Sequence, residues 1–395
     1  MTSLKNRQRV LAARRNLKMA GSAHAYVRGS TLQFYQWLQE RGKRSVPQGP
    51  PVWICGDCHL GNLGPLADSQ GKIHVQIRDL DQTVIGNPNH DLIRLALSLA
   101  SAARGSDLPG VTTAHMLESM MDGYERALMA SPDGASAADK PECVRVVMRQ
   151  ALSRTWKHLA KERLRDLKPN IPRGERFWAL SREESRAIRE LFATESVRQL
   201  VASLKSRDDK AKIEILDAAY WMKGCSSLGR LRFAALVNVS NGKRDKDDFC
   251  LIDIKEAAPA AAPRARNAKM PSNDAKRVVE GAKHLSPALG DRMMAARLLN
   301  RPVFLRELMP QDLKLEIDQL TRDEAVSAAR YLASVVGKAH ARQMDPITRR
   351  EFRKSLRSRR SRSLDAPSWL WSCVVELAAA HEAAYLEHCR AYALA

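Results

Sequence analysis

A chain of 395 residues, 44% hydrophobic and 28% charged, carries enough apolar material for roughly two or three cored domains, which excludes a disordered or fibrous polymer. No apolar run approaches the ~18 residues a membrane span needs, and seven cysteines without framework spacing exclude a disulfide scaffold. A net charge of +21 leads us to expect an anionic partner such as a nucleotide, with nucleic acid a less favoured choice.

Residues 1–48 read as helical, with Tyr26, Phe34, Tyr35, Trp37 and Leu38 on the core side. The start is basic and lacks the apolar core of a signal peptide, so a cytoplasmic protein with reduced thiols is expected. Pro47, Pro50 and Pro51 mark a turn into a short strand, Val52–Ile54, which ends in a loop holding Asp57, His59 and Asn62. Ile73, Val75 and Ile77 then alternate, the signature of a half-buried strand, and deliver Asp79 and Asp81 at its end. Asp91 is placed to open a helix built on Leu92, Leu95, Ala96 and Leu99.

Further helices are expected at 113–129, 142–167 and 182–204, with loops at 133–140 and 168–175. Composition changes at 213–255, where strands at 233–239 and 249–254 flank a polar turn. An Ala/Pro/Arg-rich loop at 257–268, a helix at 273–289 and a strand at 303–308 follow. Helices return at 322–343 and 368–392. The expected organisation is α+β: a large helical part at 1–211 and 311–395, interrupted by a small strand-rich part at 212–310. The basic run at 353–362 reads as a solvated linker, RNA or a phosphate-rich ligand being its other use.

Two strand ends thus bring Asp57, Asn62 and Asp79 toward one spot. A few hard oxygen ligands of this kind suit Mg²⁺ bridged to phosphates. The five-residue step from Asp57 to Asn62 also matches a phosphotransferase catalytic loop, in which the Asp accepts a hydroxyl proton and the Asn holds metal. Gly224, Ser226, Ser227 and Gly229 form a loop between apolar segments that can bring backbone N–H groups close to phosphate oxygens, or simply turn a hairpin. Lys255 ends an alternating strand, sharing a face with Asp253 and pointing away from Ile252 and Ile254. Glu280, on the next helix, can pair with Lys255 or lie on a solvated face. Cys55, Cys58 and His59 match C-x-x-C-H, but no second pair completes a zinc tetrahedron and nothing marks the chain for export, where haem attachment occurs; the plain reading is a buried Cys55. Arg28 can contact either substrate or phosphate.

These residues add up to a resemblance. G-D-C-H-L-G-N, then I-R-D-L-D, then G-N-P-N-H-D-L resembles the aminoglycoside and choline phosphotransferase pattern of the protein-kinase-like superfamily. K-M-A-G-S-A-H-A-Y-V-R-G, the Gly224 loop, I-K-E-A, R-V-V-E-G and A-H-A-R occur in the same order in a bacterial family, domain of unknown function 2252, and the similarity spans about residues 18–345. The resemblance implies ATP and Mg²⁺ as cofactors and an unknown small-molecule or protein acceptor. It implies Asp57 as catalytic base, Asn62 and Asp79 as metal ligands, and Lys255 as the phosphate-holding lysine. Asp91 would brace the catalytic loop. Cys55 and Leu80 depart from the pattern, and the order is rotated, with the catalytic loop ahead of the nucleotide lobe. That rotation implies a circularly permuted kinase-like fold. AMP transfer on the same fold, or a basic nucleic-acid-binding module with a dead site, are the alternatives.

Overall fold

The computed structural model describes residues 4–42, 46–130, 140–153, 170–202, 211–223, 228–240, 248–309, 312, 321–357 and 366–392. It combines helices with antiparallel sheets. The chain opens with α1 (Leu4–Ala20), α2 (Ala23–Gly29) and α3 (Thr31–Trp37). Ser22 caps α2 by accepting the Ala25 N–H. Tyr26, Phe34, Tyr35 and Leu38 are buried, and Trp37 packs half-buried against the same core.

Four short strands follow: β1 (Val52–Ile54), β2 (Leu63–Ala67), β3 (Ile73–Ile77) and β4 (Val84–Gly86). They pair as two antiparallel ribbons, β1 with β4 and β2 with β3. The sequence reading does not foresee β2 or β4. All five residues of β2 are buried, and burial on both faces erases the period of two on which strand recognition depends.

Then come α4 (Pro88–Gly105), α5 (Gly110–Met129) and α6 (Glu142–Ser153). The cap of α4 is Asn87, which accepts the Asn89 N–H; Asp91 sits one turn further in. Residues 131–139 and 154–169, on which the expected 133–140 loop and the end of the 142–167 helix fall, lie outside the described residues. After β5 (Phe177–Trp178), the single helix expected at 182–204 is two, α7 (Arg182–Phe192) and α8 (Glu195–Ala202). The Thr194 hydroxyl donates back to the Leu191 carbonyl at the break, a local bond that competes with helix continuation.

The sheet is completed by β6 (Lys212–Trp221), β7 (Arg232–Ser240), β8 (Asp248–Glu256) and, beyond α9 (Asp274–Leu285) and α10 (Pro287–Gly290), by β9 (Met293–Leu298) and β10 (Arg301–Leu308). Its order is β5-β6-β7-β8-β10-β9, all antiparallel. The helix expected at 273–289 ends at Leu285 because Pro287 has no N–H to continue it. The unexpected β9 pairs with β10 across Leu299 and Asn300, both at positive φ (50° and 59°). That is the two-residue hairpin geometry, hidden in the sequence by a leucine where glycine or asparagine is usual.

One face of the sheet is apolar throughout. Phe233, Ala235, Val237, Ile252, Ile254 and Leu305 pack there against Ile188, Leu191, Val197 and Val201 of α7 and α8, with Leu11 of α1. The opposite face is apolar at one end, around Leu236, Leu251 and Leu308. At the other end it carries Arg232, Asp253, Lys255 and Arg306, alternate residues of three neighbouring strands.

The chain ends with α11 (Arg322–Ala341), α12 (Pro346–Arg357) and α13 (Ser368–Tyr392). The main core joins α3, α4, α5, α11 and α13 to β1–β4 and α9. The linker expected at 353–362 is corrected in part: Arg353 and Arg357 lie on α12 and converge on the buried Glu125 carboxylate of α5. Residues 358–362 lie outside the described residues. No helix among the described residues is long and apolar enough to cross a membrane.

Candidate functional site

The cleft between the helical body and the charged end of the sheet is built around the loop from Cys55 to Asn62. Gly56 turns it at φ +74°, and a Cβ there would lie 2.1 Å from the Gln82 carbonyl oxygen, so no other residue fits. Asp91, fully buried, accepts the Cys55 N–H at 2.7 Å and the Gly56 N–H at 2.9 Å. Its Oδ2 is 3.2 Å from His340 Nε2, and His340 Nδ1 is 2.8 Å from the Tyr124 hydroxyl. The Tyr35 hydroxyl donates to the Gly56 carbonyl, and the Leu60 N–H donates to Ser98 Oγ. Gln343, just past α11, accepts the Trp53 N–H and donates to the Trp53 carbonyl.

Asp57 is buried at the tip of this loop. Arg94 Nε donates to its Oδ1 at 2.9 Å, and Oδ2 faces His59 Nε2 at 3.9 Å. Burial raises the Asp57 carboxyl above its ordinary range, while Arg94 opposes that shift. Burial, reinforced by Arg94 and Arg28, holds His59 well below 6.5 and therefore neutral at pH 7. The Asn62 amide donates to the Asp57 carbonyl, which leaves Oδ1 as its oxygen for a ligand.

The β2–β3 ribbon returns the chain to the same spot. The Arg78 N–H donates to the Asn62 carbonyl, and Asp79 and Asp81 follow. Lys255, 3% exposed on β8, reaches both: Nζ is 3.4 Å from each Asp79 oxygen and contacts Asp81 directly. The Asp79 side chain stays 43% exposed, although its carboxyl sits among protein charges at the cleft floor. Burial works to raise it, but Lys255 and then Arg306 prevail and hold it well below the usual carboxylate range. Asp81 goes the other way, raised by burial and by the Asp79 charge. Beside them Asp253 accepts two bonds from Arg232 and one from Arg306, whose other end reaches the Arg78 carbonyl.

Among the described residues no three His, Cys, Asp or Glu side chains gather as a metal cage. The oxygens on offer are the accessible Asp79 carboxylate, the Asn62 amide and Asp81 Oδ1, which is buried and accepts no hydrogen bond. A sparse, hard set of this kind fits Mg²⁺, which keeps several waters and takes one or two carboxylates.

Of the residues singled out in the sequence, Asp57, Asn62, Asp79 and Lys255 meet here, Lys255 and Asp79 lying 176 positions apart. Glu280 does not pair with Lys255, whose partners are Asp79 and Asp81; it is half-exposed beside His284. Gly229 has φ +102° with open space where a Cβ would be, while Gly224, Ser226 and Ser227 lie outside the described residues. Cys55 and Cys58 are buried free cysteines that contact each other, and Cys55 is raised first by Cys58 and then by burial. Sequence reasoning missed Arg94, although one arginine in an otherwise apolar helical run, D-L-I-R-L-A-L, is the signal of a buried charge with a partner. It also missed the roles of Asp81, Arg232 and Arg306, which only strand register discloses.

No curated protein and no solved structure matches the chain. One family model does, over residues 7–391, nearly the whole length of the chain that builds this loop, brace and lysine. The chain therefore belongs to the family described as an uncharacterized protein conserved in bacteria (DUF2252).

Proposed function

We propose that this chain is an ATP-dependent, Mg²⁺-assisted phosphotransferase on a circularly permuted protein-kinase-like fold, with a small antiparallel-sheet lobe and a large helical lobe. The observation that carries the reading is the meeting of Lys255, from an inner strand, with Asp79, beside a loop whose Asp57 and Asn62 stand five residues apart. A phosphate-holding lysine, a metal carboxylate and a base are the parts phosphoryl transfer needs, because its catalysis is positioning and charge neutralisation. The permutation is supported by α11. A helix that would precede the catalytic loop in kinase order comes after the sheet, yet its His340 binds Asp91 and the adjacent Gln343 binds Trp53.

In this mechanism Asp57 Oδ2 accepts the proton of the acceptor hydroxyl, while Arg94 fixes the other oxygen and so the orientation of the carboxylate. Lys255 exchanges its carboxylate partners for nucleotide phosphates. Asn62 and Asp79 would hold Mg²⁺, which supplies neutralisation of charge on the transferring group. Calorimetric titration of ATP with and without Mg²⁺ tests the reading. Asp79→Asn is expected to weaken Mg²⁺-dependent binding about tenfold or more, and equal affinities in variant and parent would sink the metal role. With an acceptor in hand, Asp57→Asn should lower turnover roughly 10²–10⁴-fold and leave nucleotide affinity within a small factor. ADP is the expected product; pyrophosphate would mean AMP transfer instead.

A further inference from the structure

Arg28 closes α2 half-buried at the edge of the Asp57 loop. Its guanidinium and the His59 ring flank Gly61: a Cβ on that glycine would lie 3.3 Å from Arg28 Cζ, from Arg28 Nε and from His59 Cε1. The glycine therefore leaves a slot that the guanidinium occupies. The same turn of chain is tied to Asp57 through Arg94, which donates to the Val27 carbonyl as well as to the Asp57 carboxylate.

Arg28 and Arg94 both bear on the His59 ring, and the two carboxylates that bear on the same spot are taken, Asp57 by Arg94 and Asp79 by Lys255. Among the described residues no carboxylate pairs with Arg28. Two further nitrogens are buried without a hydrogen-bond partner: Nδ1 of His59, a residue 4% exposed, and Nη1 of the fully buried Arg94. Partial desolvation of a guanidinium is unfavourable unless something anionic meets it, and its planar fork suits an oxyanion.

We propose that the acceptor is a small molecule bearing an oxyanion, a carboxylate or a phosphate, and that Arg28 grips this group over Gly61 while the acceptor's hydroxyl lies at Asp57. The proposal rests on the phosphotransferase reading and names the substrate class of that site. It assigns Arg28 to the acceptor and Lys255 to the nucleotide, so the two cations divide the cleft between two anions.

The test uses the full chain saturated with Mg²⁺ and a non-hydrolysable ATP analogue, titrated in a calorimeter with inorganic phosphate and, separately, with acetate. One of these probes should bind the parent, and which one tells phosphate from carboxylate. Arg28→Gln should weaken it about tenfold or more while moving the analogue's affinity less than about threefold. Arg28→Lys, which keeps the charge and loses the fork, should fall between, and it decides the matter should the glutamine variant not fold. Gly61→Ala, which crowds the guanidinium, should also weaken the probe. The proposal is overturned if neither probe binds the parent, or if Arg28→Gln loosens the nucleotide analogue as much as the probe. It is also overturned if Lys255→Met abolishes probe binding that Arg28→Gln spares. Should the ATP analogue itself not bind, the phosphotransferase reading fails; the probes are then titrated without it, and their dependence on Arg28 still decides the anion site.

Discussion

The two walls of the cleft are held by different physics. The wall formed by residues 55–62 is fixed by hydrogen bonds among fully buried groups: Asp91 accepts from two backbone N–H groups and pairs with His340, which in turn pairs with Tyr124. The wall formed by the sheet is fixed by charges: Lys255 between Asp79 and Asp81, and Asp253 between Arg232 and Arg306. A buried hydrogen-bonded brace tolerates no loss, because every partner left behind is an unsatisfied polar group. An ionic cluster open at Asp79 can rearrange, exchange partners or take up a proton. The proposed base, Asp57, thus stands on the rigid wall, and the groups proposed to trade carboxylates for phosphates stand on the adjustable one.

Removing one member from each wall puts this contrast to the test. Asp91→Ala leaves the Cys55 and Gly56 N–H groups and His340 without their acceptor in the core. It should cost about 3–5 kcal/mol in urea unfolding. Lys255→Met leaves the partly exposed Asp79 with Arg306 and water, and leaves Asp81 able to stay protonated, so its cost should be smaller, about 1 kcal/mol. Its larger effect should fall on nucleotide binding, read as loss of the thermal stabilisation that, on the proposed function, ATP and Mg²⁺ give the parent. If the two variants lose equal stability, the sheet wall is as rigid as the loop wall and the contrast fails.

The same contrast governs what the sequence disclosed. The loop wall was legible because its residues are local: Asp57, Asn62 and the G-N-P-N-H-D-L turn lie within one stretch, and α13 was read with the bounds the structure shows. Lys255 was legible because alternation fixes which face a strand residue uses. What holds these residues was not legible. The brace joins positions 91, 124 and 340, and the charge cluster depends on Arg232, which faces Lys255, reaching Asp253 diagonally across a strand pair. Spacing within a strand says nothing of register between strands. Glu280 was a candidate for Lys255 on spacing alone, yet Asp81, two residues from the metal candidate, took that place. The helix at 346–357 was hidden because its charged surface resembles a linker, and only Glu125 on α5 shows what its arginines pair with.

Acid should separate the two walls further. In the helical body His90 and His381 are each pushed down to about 4, chiefly by burial, with Arg94 adding to the effect at His381 and Asp91 opposing it at His90. A histidine whose folded value lies below its unfolded 6.5 contributes full stability above pH 6.5. As pH falls from there, the unfolded chain binds the proton and the folded chain does not, so stability drains until about pH 4, where both forms are protonated. Each residue accounts for at most about 3 kcal/mol over that window. The sheet wall behaves differently. Burial would raise Asp253, but Arg232 and Arg306 outweigh it and hold the carboxyl well below its ordinary 3.8. Its stabilisation is present above the unfolded value and is lost only as pH falls through the carboxylate range and below. Urea unfolding at pH 7, 5.5 and 4 should therefore show a decline carried by His59, His90 and His381, and His381→Gln should flatten it by roughly a third. An unchanged slope in that variant, or a decline confined to pH below 4, would move the acid sensitivity from the helical body to the charged sheet.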